Sequence, residues 1–357
     1  MSDQIAGTTS AETRGQTERR MRPVLWWASL GVAAVTLQTY VYLRWIFSDN
    51  FRRVGPGVDP VTTYDKVFAW ILQPAFGLAA LLATVWVIRG CVKERRITFD
   101  AKLYLGWISM IWMDHAANLI RPQMLFNSYY LNRGSWDEYI PGWISRNPQN
   151  LPAPFFIEFG TYLFMIVVTV LGCKLMQAVK RRRPAIGMVG LTVTAWFAMA
   201  AFIVVIEEFT TFRTGWCWWT GTVEHLTLWR NSTAPQPLTE VAAWAVTLTV
   251  TCVLRYRHVT RGTSFAETGI DRVKVSPRGR GAITTFAVIG ACTAAMGFYG
   301  VVSAIVSLYD DEPPATTTIP SYMLNGLCGE GTGIACPGPR VPVLLPRTPV
   351  TANNLPS

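Results

Sequence analysis

Asp114 and His115 interrupt the apolar stretch 103–120. Asn118 and Arg121 follow Asp114 by four and seven residues, so on a helix these three share one face. At 1.5 Å per residue, Asp114 lies about 10 Å along the axis from Arg121, well inside an apolar layer. Ionisable groups are costly at such depth and are functional candidates by default. The alternative is a polar face that only holds helices together. A carboxyl group there suits general-acid work, with His115 as a proton partner. The other carboxylates fall toward the same ends of the apolar runs. Glu158 opens one run, Glu207 and Glu208 close another, and Glu224 follows beside Trp216, Trp218 and Trp219. Glu158 also has a simple explanation as an anion at a helix N-terminus. Glu207 and Glu208 fit equally with solvation at headgroup level.

Residues 121–136 are dense in amides, hydroxyls and aromatic rings. Asn127, Ser128, Tyr129, Asn132 and Ser135 would orient an oxygen-rich ligand, as the wall or lid of a pocket. Trp136 and Trp143 on their own would read as an interfacial belt.

These residues need a scaffold, and the composition says which kind. The chain has 357 residues, 50% apolar and only 15% charged, with 15 tryptophans, where a soluble domain carries about 25% charge. Mean hydropathy is +0.26. A bilayer core takes about 20 helical residues. Four runs meet that length without a charge: 24–43, 67–88, 185–206 and 282–309. Three more are interrupted: 103–120, 151–173 and 238–254, the last containing Glu240. The expected fold is an all-α integral membrane protein of about seven transmembrane helices. Four segments between the runs, 1–23, 89–102, 174–184 and 255–281, hold 21 of the 32 Lys and Arg. The positive-inside bias then puts the N-terminus in the cytoplasm and the C-terminus outside the cell membrane. Residues 1–22 read as a disordered arm, 23–309 as the membrane domain, and 310–357 as a Pro-rich disordered tail. The first run lacks a cleavage pattern and reads as a retained helix.

The net charge of +10 is explained by these flanks, so no nucleic-acid partner is expected. Phosphate-loop, dinucleotide and nucleophile-elbow motifs are missing. Neither the three histidines nor the seven cysteines show metal-ligand spacing, so neither metal nor cofactor is expected. Cys328 and Cys336 share the exported tail and are placed to pair. Oligomeric state is not legible.

The stretch Asp114-x-x-x-Asn118, Arg121-Pro122, Phe126-Asn127-Ser128-Tyr129, Asn132-x-Gly134-Ser135-Trp136 and Ile140-Pro141-Gly142-Trp143 resembles the AveC-type spirocyclase family. These are actinobacterial multi-pass membrane proteins, and their namesake acts in spiroketal formation and dehydration in avermectin biosynthesis. The family's Asp is usually followed by Pro, where this chain has His115. The resemblance implies a cyclase or dehydratase for a lipophilic polyketide or lipid-like substrate, bound within the bilayer. Asp114 would be its acid, with His115, Glu158 and Glu208 as further catalytic candidates. Asn118, Arg121, Asn127, Ser128, Tyr129, Asn132, Ser135, Trp136 and Trp143 would form the substrate wall. The rival readings are a membrane terpene-type cyclase and a non-enzymatic transporter or assembly factor. A transporter would more often show inverted repeats and broken helices, and no internal repeat is present.

Overall fold

The computed structural model describes residues 22–232, 234–311, 319–328 and 332. Seven main helices follow in order: α1 (Pro23–Ile46), α2 (Thr63–Glu94), α3 (Phe99–Met110), α4 (Phe155–Arg182), α5 (Met188–Glu207), α6 (Leu238–Arg261) and α7 (Pro277–Val306). Local chemistry marks their ends. Thr62, Thr98 and Ser276 each accept a hydrogen bond from a backbone N–H of the first turn, satisfying a donor that the helix cannot. Pro277 sits at the first helical position of α7, where its missing N–H is harmless. Gly262 ends α6 at φ 77°, a backbone that glycine adopts without strain.

Six of the seven helices are long and apolar enough to cross a membrane, among the described residues. The seventh expected span, 103–120, differs. Its α-helical part, α3, has only 12 residues and then tightens into a 3-10 helix, Ile111–Asn118. Most of α3 is buried against α4, α6 and α7. The polar residues that interrupt this run are therefore interior groups at the end of a central helix. By contrast α2 and α5 expose Trp70, Leu78, Leu81, Leu82, Val189 and Phe197.

The first and last main helices pack most extensively together. A Cβ at Gly31 would lie 2.0 Å from the carbonyl oxygen of Phe286, and one at Gly290 would lie 2.0 Å from that of Trp27. Glycine on both sides permits this backbone contact, as in small-residue helix interfaces.

One end of the bundle carries a cap. Three short antiparallel pairs build it: β1 (Met124–Phe126) with β4 (Cys217–Trp219), β2 (Asn132–Gly134) with β3 (Pro152–Pro154), and β5 (Thr227–Leu228) with β6 (Gln236–Pro237). Part of the segment 310–357, expected to be a disordered tail, joins it. Residues 319–328 include a one-turn helix, α8 (Ser321–Leu324), and bury Tyr322, Met323, Leu327 and Cys328 against the cap. Ser128 Oγ donates to Tyr322 O at 3.0 Å, and Asn325 Nδ2 donates to Phe126 O at 2.8 Å. Cys328 is disulfide-bonded; Cys336, its expected partner, lies outside the described residues, as do the arm 1–21 and the tail prolines.

Candidate active site

Beneath the cap lies a cavity of about 490 Å³. Its floor and walls are largely apolar: Phe76 and Ala79 from α2, Met165 and Val168 from α4, Phe202 and Ile203 from α5, Trp244 and Leu248 from α6. Met124, Phe126, Trp216 and Trp219 roof it. Leu171 and Ile206 line it and are also exposed on the outer flank of the bundle, so the cavity reaches that flank.

Four carboxyl groups face this space: Asp114, Glu158, Glu207 and Glu240. Each stands at a helix end. Asp114 lies in the 3-10 continuation of α3, and Glu158 and Glu240 occupy the first turns of α4 and α6. A helix N-terminus favours an anion, which explains how these two are tolerated. Glu207 is the last residue of α5. None of the four has a lysine or arginine ion pair among the described residues.

The four form two groups. Asp114 accepts a hydrogen bond from Tyr162 Oη at 2.5 Å. Behind it His115 is fully buried. Its Nδ1 lies 3.0 Å from both Asp137 Oδ1 and Ser135 Oγ. Its Nε2 lies 3.4 Å from Glu158 Oε1, without the geometry of a hydrogen bond. Trp136 stacks on the imidazole, with ring centroids 4.8 Å apart and planes 13° from parallel, and its Nε1 donates to Trp112 O at 2.9 Å. Asp114, His115 and Glu158 each offer one donor atom within 4.8 Å of the others. These are the described residues that could hold a metal. Spacing along the sequence gave no sign of it because Glu158 comes from a different helix.

In the second group Glu207 and Glu240 line one wall of the cavity and act on each other's charge. Gln236 Nε2 donates to Glu207 Oε2 at 3.2 Å. Tyr299 completes this wall.

Of the residues singled out from the sequence, Asp114 and Glu158 line the cavity, and His115 sits directly behind them. Glu208 does not line it. A π-helical turn, Glu208–Phe212, follows α5, and Glu208 pairs with Arg213 at 2.5 Å. Glu224 pairs with Arg230 at 2.9 Å, away from the cavity. The polar side chains of 118–135 serve the backbone of the cap. Asn118 Oδ1 accepts from the N–H groups of Gln123 and Met124, and its Nδ2 donates to Met124 O. Asn127 Nδ2 donates to Gly215 O, while its Oδ1 accepts from Tyr129 N. Asn132 accepts from Val54 N and donates to Ser128 O and Tyr130 O. Tyr129 packs among the apolar residues of the cap. Ser135 and Trp136 hold His115. Trp143 lines a separate shallow groove with Glu138 and Arg146. Arg121 sits in the field of Asp310, whose carboxyl accepts from Gln123 Nε2. Burial pushes the Asp310 carboxyl up to about 7.

Glu240, Tyr162, Tyr299 and Asp137 are not site candidates by sequence, and Glu207 is raised there only beside Glu208, with headgroup solvation as the equal alternative. Glu207 and Glu240 had a signal, as charges at the ends of apolar runs. The tyrosines and Asp137 had none, because only the fold brings them here.

The fold and site together define a capped helical bundle whose apolar cavity gathers four carboxyl groups. The sequence profile of the family described as spirocyclase AveC-like matches residues 94–321, most of the capped bundle, and the chain belongs to this family. Membership supports a cyclase or dehydratase type of role. No curated protein and no solved structure matches the chain.

Proposed function

We propose that the cavity closes a spiroketal-type ring, by acid catalysis, on a lipophilic polyketide or lipid-like substrate. Spiroketal closure adds two hydroxyls to one ketone and expels water through an oxocarbenium-like cation. It needs a proton for the departing oxygen, a base for the attacking hydroxyl, and walls that fix the fold of the chain. The placing of Glu207 and Glu240 together on one apolar wall, with no cation beside them among the described residues, carries this reading. Two carboxyls set together in apolar surroundings without a cation resist losing both protons, as carboxylate dyads do, so this pair is the proton donor. Asp114, which accepts from Tyr162 Oη, takes the proton of the attacking hydroxyl. The sequence alone pointed to Asp114 as the donor; the geometry supports dividing the two roles.

The same reading places the chain in the cell membrane with its N-terminus in the cytoplasm, on the 21-of-32 basic split. The cap then lies at the outer face, and a substrate dissolved in the bilayer enters past Leu171 and Ile206. A phosphatase fused after Leu308 should be active outside the cytoplasm and one fused after Arg183 inactive.

The test of the chemistry uses a dihydroxy-ketone surrogate followed by chiral chromatography. Glu240→Gln and Asp114→Asn should each slow closure about 10²–10⁴-fold, the usual range for a general acid or base. Elution and melting should stay close to those of the parent protein. Near-parental rate and stereochemistry in both variants would overturn the assignment.

A further inference from the structure

We propose that Asp114, His115 and Glu158 bind one divalent transition-metal cation at the wall of the cavity. This goes beyond acid catalysis, and its occupancy is independent of whether the cavity closes a ring.

Three observations carry it. First, the donors are of the right kind and close together. One imidazole nitrogen and two carboxylate oxygens lie within 4.8 Å of one another. Tetrahedral zinc with bonds of about 2 Å sets its donors about 3.3 Å apart, so a small side-chain adjustment closes the set. Second, the inward-facing atoms lack hydrogen bonds. Both carboxylate oxygens of Glu158 and Nε2 of His115 are buried without a hydrogen bond, meeting only across a 3.4 Å ion-pair contact, and Glu158 is only 2% exposed and lines the cavity. Buried polar groups left in that state are rare in folded proteins and call for an explanation such as an ion.

Third, the support around the donors is that of a metal site. A ligating histidine normally gives its other ring nitrogen to a carboxylate, which fixes the ring and its tautomer. His115 has Asp137 and Ser135 on Nδ1 at 3.0 Å, with Trp136 stacked on its face. Tyr162 orients Asp114 in the same way. Counting charge reaches the same result. Asp114, Glu158 and Asp137 surround a single imidazole with no lysine or arginine paired to them among the described residues, and a dication supplies the missing positive charge.

Nitrogen and oxygen donors together suit Zn²⁺, Mn²⁺ or Fe²⁺ better than Ca²⁺. Three protein ligands leave room for an outside oxygen, as in catalytic rather than structural zinc sites. The cavity side of the cluster is where that oxygen would come from, and a ketone or hydroxyl of a substrate fits it.

The experiment is a Co²⁺ titration of the full chain in detergent micelles after chelator treatment. Visible absorption reports coordination, and elemental analysis of untreated protein reports what it carries. The expected result is about one equivalent of Co²⁺ displaced by Zn²⁺. Glu158→Gln and His115→Gln should each weaken binding at least tenfold. Asp137→Asn, which removes only the support, should weaken it about 10–100-fold. Glu240→Gln, on the cavity wall outside the cluster, should bind normally. Well-folded parent protein that takes up no Co²⁺, or binding that survives both Glu158→Gln and His115→Gln, would overturn the site. Ring closure of the surrogate is measured on the same samples. Closure by folded protein that takes up no Co²⁺ would sink this inference alone, and stoichiometric metal without closure would sink only the reading of the reaction.

Discussion

The far end of the bundle and the cavity beneath the cap treat charge in opposite ways. At the end away from the cap, carboxylates have cationic partners. Asp100 takes two hydrogen bonds from Arg255, at 2.8 and 3.0 Å. Glu267 is held by Lys102 at 2.8 Å, His258 at 3.1 Å and the backbone N–H of Ser264 at 3.0 Å. Asp271 reaches Arg280 at 2.9 Å. Under the cap, Asp114, Glu158, Glu207 and Glu240 have tyrosine, histidine, glutamine or each other for neighbours. Pairing a charge fixes structure; leaving a buried carboxyl without a counter-charge keeps its proton mobile and its oxygens available to a ligand. The cavity thus keeps its carboxyl groups available at some cost in stability, while the far end is fixed by its ion pairs.

The sharpest way to break this contrast is Lys102→Met. It leaves Glu267 buried, and removing one partner of such a pair costs about 3–5 kcal/mol; His258 and Ser264 remain, so about 2–3 kcal/mol is expected. Melting temperature should drop while surrogate closure stays near the parental rate. A drop in rate without a drop in melting would reverse the roles of the two ends.

The ends should also respond to pH with opposite sign. Its three donors hold the Glu267 carboxyl down at about 2, against about 4.3 for a free glutamate. Its stabilisation is present above that free value and is lost as the pH falls toward 2. Asp310, pushed up to about 7 by burial at the edge of the cap, does the reverse. The folded state holds its proton longer than the unfolded chain, so stability drains away as pH rises from about 4 through 7. Melting curves from pH 3 to 9 should show both limbs. Glu267→Gln should flatten the acid limb and Asp310→Asn the neutral one; if each variant alters the other's limb, the assignment of ends is wrong.

A smaller effect tests the tail. Tyr322 Oη donates to Asp65 Oδ2 at 3.0 Å, and Tyr322→Phe should cost about 1 kcal/mol, visible as faster proteolysis of the tail. The smallest tests the far end's exposed rim. Arg280 and Asp271 are largely exposed, so Arg280→Ala should change stability by less than about 0.5 kcal/mol, measured by chemical denaturation.

Much of the scaffold was legible because apolar length and charge-free runs report directly on long helices. What the runs did not show was that 103–120 changes its winding at Ile111 and lies inside the bundle. Its interruptions marked an interior helix as much as a functional one. In the site, Asp114 and Glu158 stood out because a charge in an apolar run is conspicuous. Glu207 and Glu208 were indistinguishable by sequence, since only the π-helical turn decides which of two neighbours faces the cavity. Asn118, Asn127 and Asn132 looked like ligand-binding amides because the same donors and acceptors that hold a substrate also satisfy loop backbone. Tyr162 and Asp137 gave no local sign at all, being ordinary residues whose importance comes from partners 48 and 22 positions away.

The contact of Gly31 with α7 has a consequence for how the protein is made. Among the described residues α1 finds its main partner in α7, more than 250 positions later in the chain. Until α7 emerges, the glycine face of α1 lacks this partner, although α2 already has α4, and α5 already has α6. Closure of the bundle is therefore a late event, and any chain that stops short of α7 carries an unmatched glycine face, a mark by which unfinished protein differs from finished.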